Sequence, residues 1–304
     1  MTKYVFISMT VFLFVSTVVI GLPSGAIAQP TTPAMATDAF KVFDGTLYTN
    51  KPDMKAFGIS PIRIVYPTDM WQDFKNDAGL PDQIKIRDLV NKVRESGSIV
   101  IIDIEHWPVT VRNHDGSINT YTVLNDSVLK YKQVLSLFRM YAPELRLGYY
   151  GHPPVMDYWR TIDDDGKKSE WIKENDRLQT LADFVDILFP SLYTANADRD
   201  GWVKYAKAQI AEARRLAKGK PVYVFLWPQY HDANPVLGLE FIAADYWKLQ
   251  LDTARQYADG IVIWGGWDGK RNKPAVWRDG AEWWQVTKKF MTTLYPAKER
   301  AGNK

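Results

Sequence analysis

The sequence predicts an α/β protein built as a (β/α) barrel of the TIM type, with about seven parallel strands. Three observations carry that prediction. Short β-branched and aromatic runs alternate with longer stretches of helical period, the rhythm of βα units. The units spread over about 250 residues, more than an open sheet of this strand number needs. No Gly-x-Gly-x-x-Gly turn follows any strand, which leaves the dinucleotide-binding open sheet without its signature.

Taken in order, the predicted strands are 41–47, 62–66, 98–105, 146–150, 186–193, 221–226 and 260–264, each a short run rich in β-branched or aromatic residues. Helical patterns occupy 82–95, 126–141, 175–184, 201–217 and 239–257, and a last one at 282–294 closes the chain. Pro81 stands before the first helix and Gly219 after the fourth, where start and stop signals belong. Residues 41–296 therefore read as one catalytic barrel domain, after a Pro/Thr/Ala-rich leader at 29–40 and before a short tail at 297–304. The Asp163-Asp164-Asp165 run reads as a solvated loop.

Composition narrows the function. With 46% hydrophobic residues the chain has ample material for a core, and its formal charge of +3 advertises no polyanion-binding face. Nucleic acid is not an expected partner. The absence of cysteine removes disulfides, thiolate zinc sites and thiol nucleophiles together. His106 and His152 have no closely spaced partner ligand, so neither a metal nor any other cofactor is expected. The 12 Trp, 16 Tyr and 13 Phe are abundant, and Trp in such numbers often lines surfaces that stack on flat ligands, sugars included. Residues 1–28 read as a secretory signal: Lys3 opens it, an apolar stretch follows, and Ala26-Ile27-Ala28 offers a small-x-small cleavage site before Gln29. The expected location is secreted or periplasmic, with no membrane contact after cleavage.

In a barrel the residues that close each strand converge on one mouth. The third run ends Asp103-Ile104-Glu105, and period two places both acids on one face with α-carbons roughly 6 to 7 Å apart. Two inward acids are costly unless used or paired, and each raises the other's pKa, which is how a proton donor stays loaded near neutral pH. Glu105, nearer the strand end, is the expected general acid and base, with Asp103 deeper and orienting. Pairing of each acid with a buried Arg or Lys is the competing structural explanation. Tyr149, Tyr150, Tyr193, Trp264, Trp267 and Asp268 close other runs and are expected at the same mouth, where aromatic faces and polar rims suit pyranose rings. Trp171, Trp202, Trp247, Trp277, Trp283 and Trp284 have no such argument and are expected in core packing.

Asp103-Ile104-Glu105-His106-Trp107, Gly148-Tyr149-Tyr150-Gly151-His152-Pro153, Asn175-Asp176-Arg177-Leu178, Phe189-Pro190-Ser191-Leu192-Tyr193, Lys220-Pro221-Val222-Tyr223 and the run from Gly260 to Asp268 resemble, in order and spacing, the hyaluronidase family of glycoside hydrolases. The resemblance implies a distorted seven-stranded barrel that cleaves β-linked N-acetylhexosaminides with retention, using the substrate's own acetamido oxygen as nucleophile. It implies Glu105 as acid and base, Asp103 as holder of the acetamido N–H, Tyr150 and Tyr193 as its packing and hydrogen-bonding partners, and Trp264 as the pocket floor. Trp107 and Trp227 fall at further substrate-binding positions.

Three departures qualify it. Ile104 replaces a Trp between the acids, at an outward position tolerant of change. Trp107 runs directly into Pro108, and Trp227 precedes Pro228, where the family carries arginines suited to a uronate carboxylate. A substrate less anionic than hyaluronan, such as a chitin-type or peptidoglycan-type chain, is therefore expected. The rival readings are a non-catalytic carbohydrate-binding barrel, for which the acid pair would be superfluous, and a hydrolase with a carboxylate nucleophile, for which Asp268 is the candidate partner.

Overall fold

The computed structural model describes residues 39–73, 79–94, 98–113, 116–163, 166–269 and 271–294. The expected signal segment, nearly all of the leader, the tail at 297–304, and Asp164 and Asp165 lie outside them. Strands β1 (Lys41–Thr46), β2 (Ser60–Pro61), β3 (Arg63–Val65), β4 (Ile99–Ile102), β5 (Arg146–Tyr149), β6 (Tyr223–Leu226) and β7 (Gly260–Gly265) pair in parallel. A two-stranded antiparallel hairpin, β8 (Trp267–Asp268) and β9 (Lys273–Pro274), follows β7. The helices are α1 (Pro67–Met70), α2 (Gln83–Val93), α3 (Tyr121–Tyr141), α4 (Tyr158–Ile162), α5 (Lys167–Asp176), α6 (Gln179–Phe184), α7 (Arg199–Ala217), α8 (Ala244–Tyr257) and α9 (Glu282–Leu294).

The strand order is β2-β1-β7-β6 in one sheet and β3-β4-β5 in another. The predicted strand at 186–193 links them through single bridges, Tyr150 to Phe189 on one side and Leu188 to Val222 and Ser191 to Phe225 on the other. Pro190 explains why these remain bridges: it has no N–H to give, although its carbonyl still accepts from Phe225 at 2.9 Å. Because β2 and β3 are successive pieces of one extended run, the pairings lead from β3 through β4, β5, 186–193, β6, β7 and β1 back to it.

Strand parity sorts the side chains into two layers. Phe43, Ile64, Ile101, Ile187, Phe189, Phe225 and Val262 meet in an inner cluster. Their neighbours Val100, Ile102, Ile104, Leu147, Val224 and Ile261 join the outer cluster with helix residues such as Leu135, Phe138, Ile210 and Trp247. Full burial of each such side chain stabilises the fold by about 1.5–3 kcal/mol. Gly148 is required inside, since a Cβ there would fall 2.7 Å from the Phe189 ring and 2.3 Å from the Ile187 carbonyl oxygen.

Two helices differ from expectation at their boundaries. The α3 helix begins five residues early because Thr120 caps it, its Oγ1 accepting from the Val123 N–H at 3.3 Å. The predicted helix 239–257 begins only at Ala244, because Leu239 adopts φ 68° and the N–H groups of Leu239 and Ile242 donate back to the carbonyls of Tyr230 and Pro228. The pattern at 175–184 is split between the end of α5 and α6. Trp171, Trp202, Trp247, Trp283 and Trp284 are buried as expected, while Trp277 is half-buried.

Candidate active site

The acid pair leaves β4 without losing strand geometry. The Asp103 N–H still donates to the Val65 carbonyl at 2.9 Å, so Asp103 and Glu105 keep the inward parity of Ile101, while Ile104 packs outward and is fully buried. Asp103 is half-buried and Glu105 more open to solvent. No ion pair to a described Lys or Arg engages either acid. They line a cup of about 170 Å³ together with Tyr150, Tyr193, Trp227, His231, Asp232 and Trp264.

The walls of the cup are locked by aromatic contacts. Trp264 stacks on Tyr193 at 5.7 Å and meets Trp227 edge-on at 4.8 Å; Trp227 in turn meets Tyr193 at 5.4 Å. The Trp264 indole N–H donates to the Tyr66 hydroxyl at 3.1 Å, and the Trp227 N–H donates to Gln229 Oε1 at 3.0 Å. The Tyr150 hydroxyl donates to Ser191 Oγ at 3.2 Å.

Burial first, then the charge of Glu105 and the hydrogen bond to it, push the Asp103 carboxyl up to about 7. Burial also raises Glu105, opposed by His231 and by the hydrogen bond from Asp103. The pair thus holds one proton between two carboxyls close to neutral pH, and it titrates as a unit. Burial raises Tyr150 and Tyr193 far above the ordinary phenol range, so both remain neutral hydroxyls.

The structure brings together Asp103, Glu105, Tyr150, Tyr193, Trp227 and Trp264. Four other expected site residues are elsewhere. Tyr149 has the opposite parity to Tyr150; it is fully buried in the outer layer, where its hydroxyl donates to the Tyr131 carbonyl at 2.8 Å. Trp107 is also buried in that layer, edge-on to Tyr131 at 5.2 Å. Trp267 and Asp268 belong to the β8–β9 hairpin and line a neighbouring cavity.

Sequence reasoning missed Tyr66, Ser191, His231 and Asp232. Tyr66 closes the predicted strand 62–66, so the strand-end rule applied there would have found it. His231 and Asp232 sit on the loop after β6, held by the His231 N–H donating to the Thr194 carbonyl at 2.8 Å, and no sequence signal marks them.

An acid pair in an aromatic mouth at the strand ends of such a fold is the arrangement glycoside hydrolases use. The hyaluronidase family model matches residues 120–278, and the chain belongs to that family. The matched segment begins after the acid pair. A hyaluronidase of Polybia paulista is 24% identical over 200 residues, covering 56% of this chain and 68% of that protein. A hyaluronidase of Apis mellifera is 23% identical over 219 residues, covering 61% of this chain but only 56% of its own length. The crystal structure of bee venom hyaluronidase superposes with a TM-score of 0.57 at 18% identity, covering 74% of this chain and 91% of that one.

Proposed function

We propose that this is an exported hydrolase, with residues 41–296 as its catalytic domain, that cleaves β-N-acetylhexosaminidic bonds with retention by substrate-assisted catalysis. The observation that carries the reading is the Asp103–Glu105 pair opening into a cup whose described lining holds no Lys or Arg. The exported location rests on the signal pattern of residues 1–28.

The free pair shares one proton between its two carboxyls. An acetamido N–H arriving at Asp103 needs an acceptor there, which favours the ionised form of Asp103 and moves the proton onto Glu105. Glu105 then gives that proton to the leaving oxygen as the C1–O bond breaks and the acetamido oxygen bonds to C1. In the second half, Glu105 takes a proton from the water that opens the cyclic intermediate at C1, restoring the β configuration. Tyr150 and Tyr193, as neutral hydroxyls, and Trp264, as a stacking floor, hold the acetamido group against C1. That confinement makes a neutral amide oxygen an effective nucleophile. A sugar without formal charge suits this part of the site, because no Lys or Arg is among the described residues lining the cup.

Reducing-end release and binding, measured side by side on N-acetylhexosamine oligomers, test the reading. Glu105→Gln is expected to lose turnover by about 10³-fold, the scale of a general acid, while binding is retained. Absence of turnover in both proteins with equal binding would identify a carbohydrate-binding barrel instead.

A further inference from the structure

We propose that Tyr131, a fully buried residue of α3 in the outer layer, is a positioning residue for Glu105: its hydroxyl fixes the bend of main chain that presents the acid to the cup. The inference rests on the proposed role of Glu105 as general acid and base, and it adds the group that holds that acid in place.

The need for such a group follows from where strand pairing stops. β4 ends at Ile102, and among the described residues its pairing closes with the Asp103 N–H on the Val65 carbonyl at 2.9 Å and the Tyr150 N–H on the Ile102 carbonyl at 3.1 Å. Glu105 lies past that ladder, so the strand alone does not fix it. The Tyr131 hydroxyl stands 3.1 Å from the Ile104 carbonyl oxygen and 2.9 Å from that of Trp107, one before and one after Glu105. The Ile104 carbonyl shares a rigid peptide plane with the Glu105 N–H, so holding that oxygen restricts the backbone at the acid itself. The Trp107 carbonyl precedes Pro108, whose ring confines Trp107 to extended geometry. One hydroxyl thus ties both ends of a short bend, sharing its single proton between two acceptors.

Tyr131 is itself a fixed point. Its ring is met edge-on by Trp107 at 5.2 Å, Tyr149 at 4.8 Å and His152 at 4.6 Å, and its carbonyl accepts the Tyr149 hydroxyl at 2.8 Å. Trp107 and His152 belong to the segments that follow β4 and β5, the same segments that carry Glu105 and Tyr150. A ring wedged between them keeps its rotamer, and with it the place of its hydroxyl. Burial, and after it the charges of Glu105 and Asp103, hold this phenol well above its ordinary range, so it remains a donor whatever the state of the acid pair. Its bonds run to backbone and none to the cup, so it acts through the main chain of Glu105 and not on the sugar.

The test compares kcat/KM of the full chain on two substrates. One is a plain N-acetylglucosamine oligomer, whose leaving alcohol needs a proton from Glu105; the other is the dinitrophenyl β-glycoside of the same oligomer, whose leaving phenolate does not. Tyr131→Phe keeps the ring and removes the hydroxyl. It should lower kcat/KM on the plain oligomer about ten-fold, through misplacement of the acid, and on the dinitrophenyl glycoside by less than about two-fold. Tyr149→Phe is the matched control: it loses a buried hydroxyl of the same layer, bonded to a carbonyl within α3 and not beside Glu105, and should leave both rates unchanged. Parent rates on the plain oligomer in Tyr131→Phe, or equal losses on the two substrates, would overturn the assignment, as would the same selective loss in Tyr149→Phe. Should Tyr131→Phe not fold, Tyr131→Met, whose flexible side chain fills the space without a hydroxyl, is read against the same outcomes. Glu105→Gln runs alongside. If it shows no selective loss, the acid assignment itself fails; selective loss there with full activity in Tyr131→Phe sinks the positioning role alone.

Discussion

Tyr149 and Tyr150 are neighbours in the chain and belong to different worlds in the fold. Tyr150 points into the cup beside Asp103 and Glu105; Tyr149 points outward, edge-on to Tyr131 at 4.8 Å and stacked on His152 at 5.6 Å. Both layers are dense in aromatic rings, so aromatic content does not distinguish a sugar site from a core. What distinguishes them is what the polar groups on each face of the strand bond to. In the outer layer the fully buried tyrosine hydroxyls are spent on backbone carbonyls, Tyr149 on Tyr131 and Tyr131 on Ile104 and Trp107. In the inner layer hydroxyls and carboxyls bond chiefly to one another, and those bonds can be exchanged for bonds to a ligand.

The comparison is broken most forcefully by truncating one ring on each side. Tyr149→Ala should destabilise the protein by about 3–5 kcal/mol, as loss of a fully buried ring does, with activity per folded molecule retained. Trp264→Ala should do the reverse, lowering kcat/KM about 100-fold through loss of substrate positioning while shifting the denaturation midpoint far less. Denaturant melts and initial rates on the same preparations check both, and equal effects on stability would erase the distinction between the layers.

Acid titration sharpens it further. Burial lowers the His152 imidazole to about 4 from an ordinary value of 6.5, so the folded protein keeps it neutral. Its contribution to stability is complete above about 6.5 and is lost as pH falls toward about 4, a change of about 3 kcal/mol. His152→Phe should flatten stability across that window, read as denaturation midpoints at several pH values. The inner layer responds oppositely. Asp103 holds its proton more tightly when folded, so stability declines as pH rises from about 4 to about 7. Asp103→Asn should therefore raise Tm at pH 8 by about 2 to 4 °C, the scale of about 1 kcal/mol in a domain of this size, with little effect near pH 3.

The sequence made the strand-end logic legible because period-two alternation is strong in Val100-Ile101-Ile102-Asp103-Ile104-Glu105; one register assigns every side chain of that run. It failed for Tyr149 because adjacency in sequence was read as adjacency at the mouth, and for Trp107, which shares the parity of Glu105, because the chain bends at 106–107 and the ring packs outward on Tyr131. In a strand, adjacent residues face opposite ways, and the Tyr149–Tyr150 pair should have been divided on that ground alone. Trp267 and Asp268 were misplaced for another reason: two glycines with positive φ reverse the chain after Trp264, and the hairpin that follows has its own cavity. His231 and Asp232 were invisible because a loop that folds back over a barrel obeys no periodicity. The boundary of α8 was illegible for a similar reason, since residues 239–243 satisfy their backbone against 228–230 rather than in a helix.

Asp232 is the other carboxylate lining the cup, held 3.0 Å from His231 Nδ1, and it is the natural rival to the substrate's own amide as nucleophile. Initial rates on matched oligosaccharides, one bearing the 2-acetamido group and one bearing a hydroxyl in its place, separate the two most directly. The account predicts cleavage of the acetamido substrate alone; comparable rates on both would contradict it and assign the attack to a protein carboxylate.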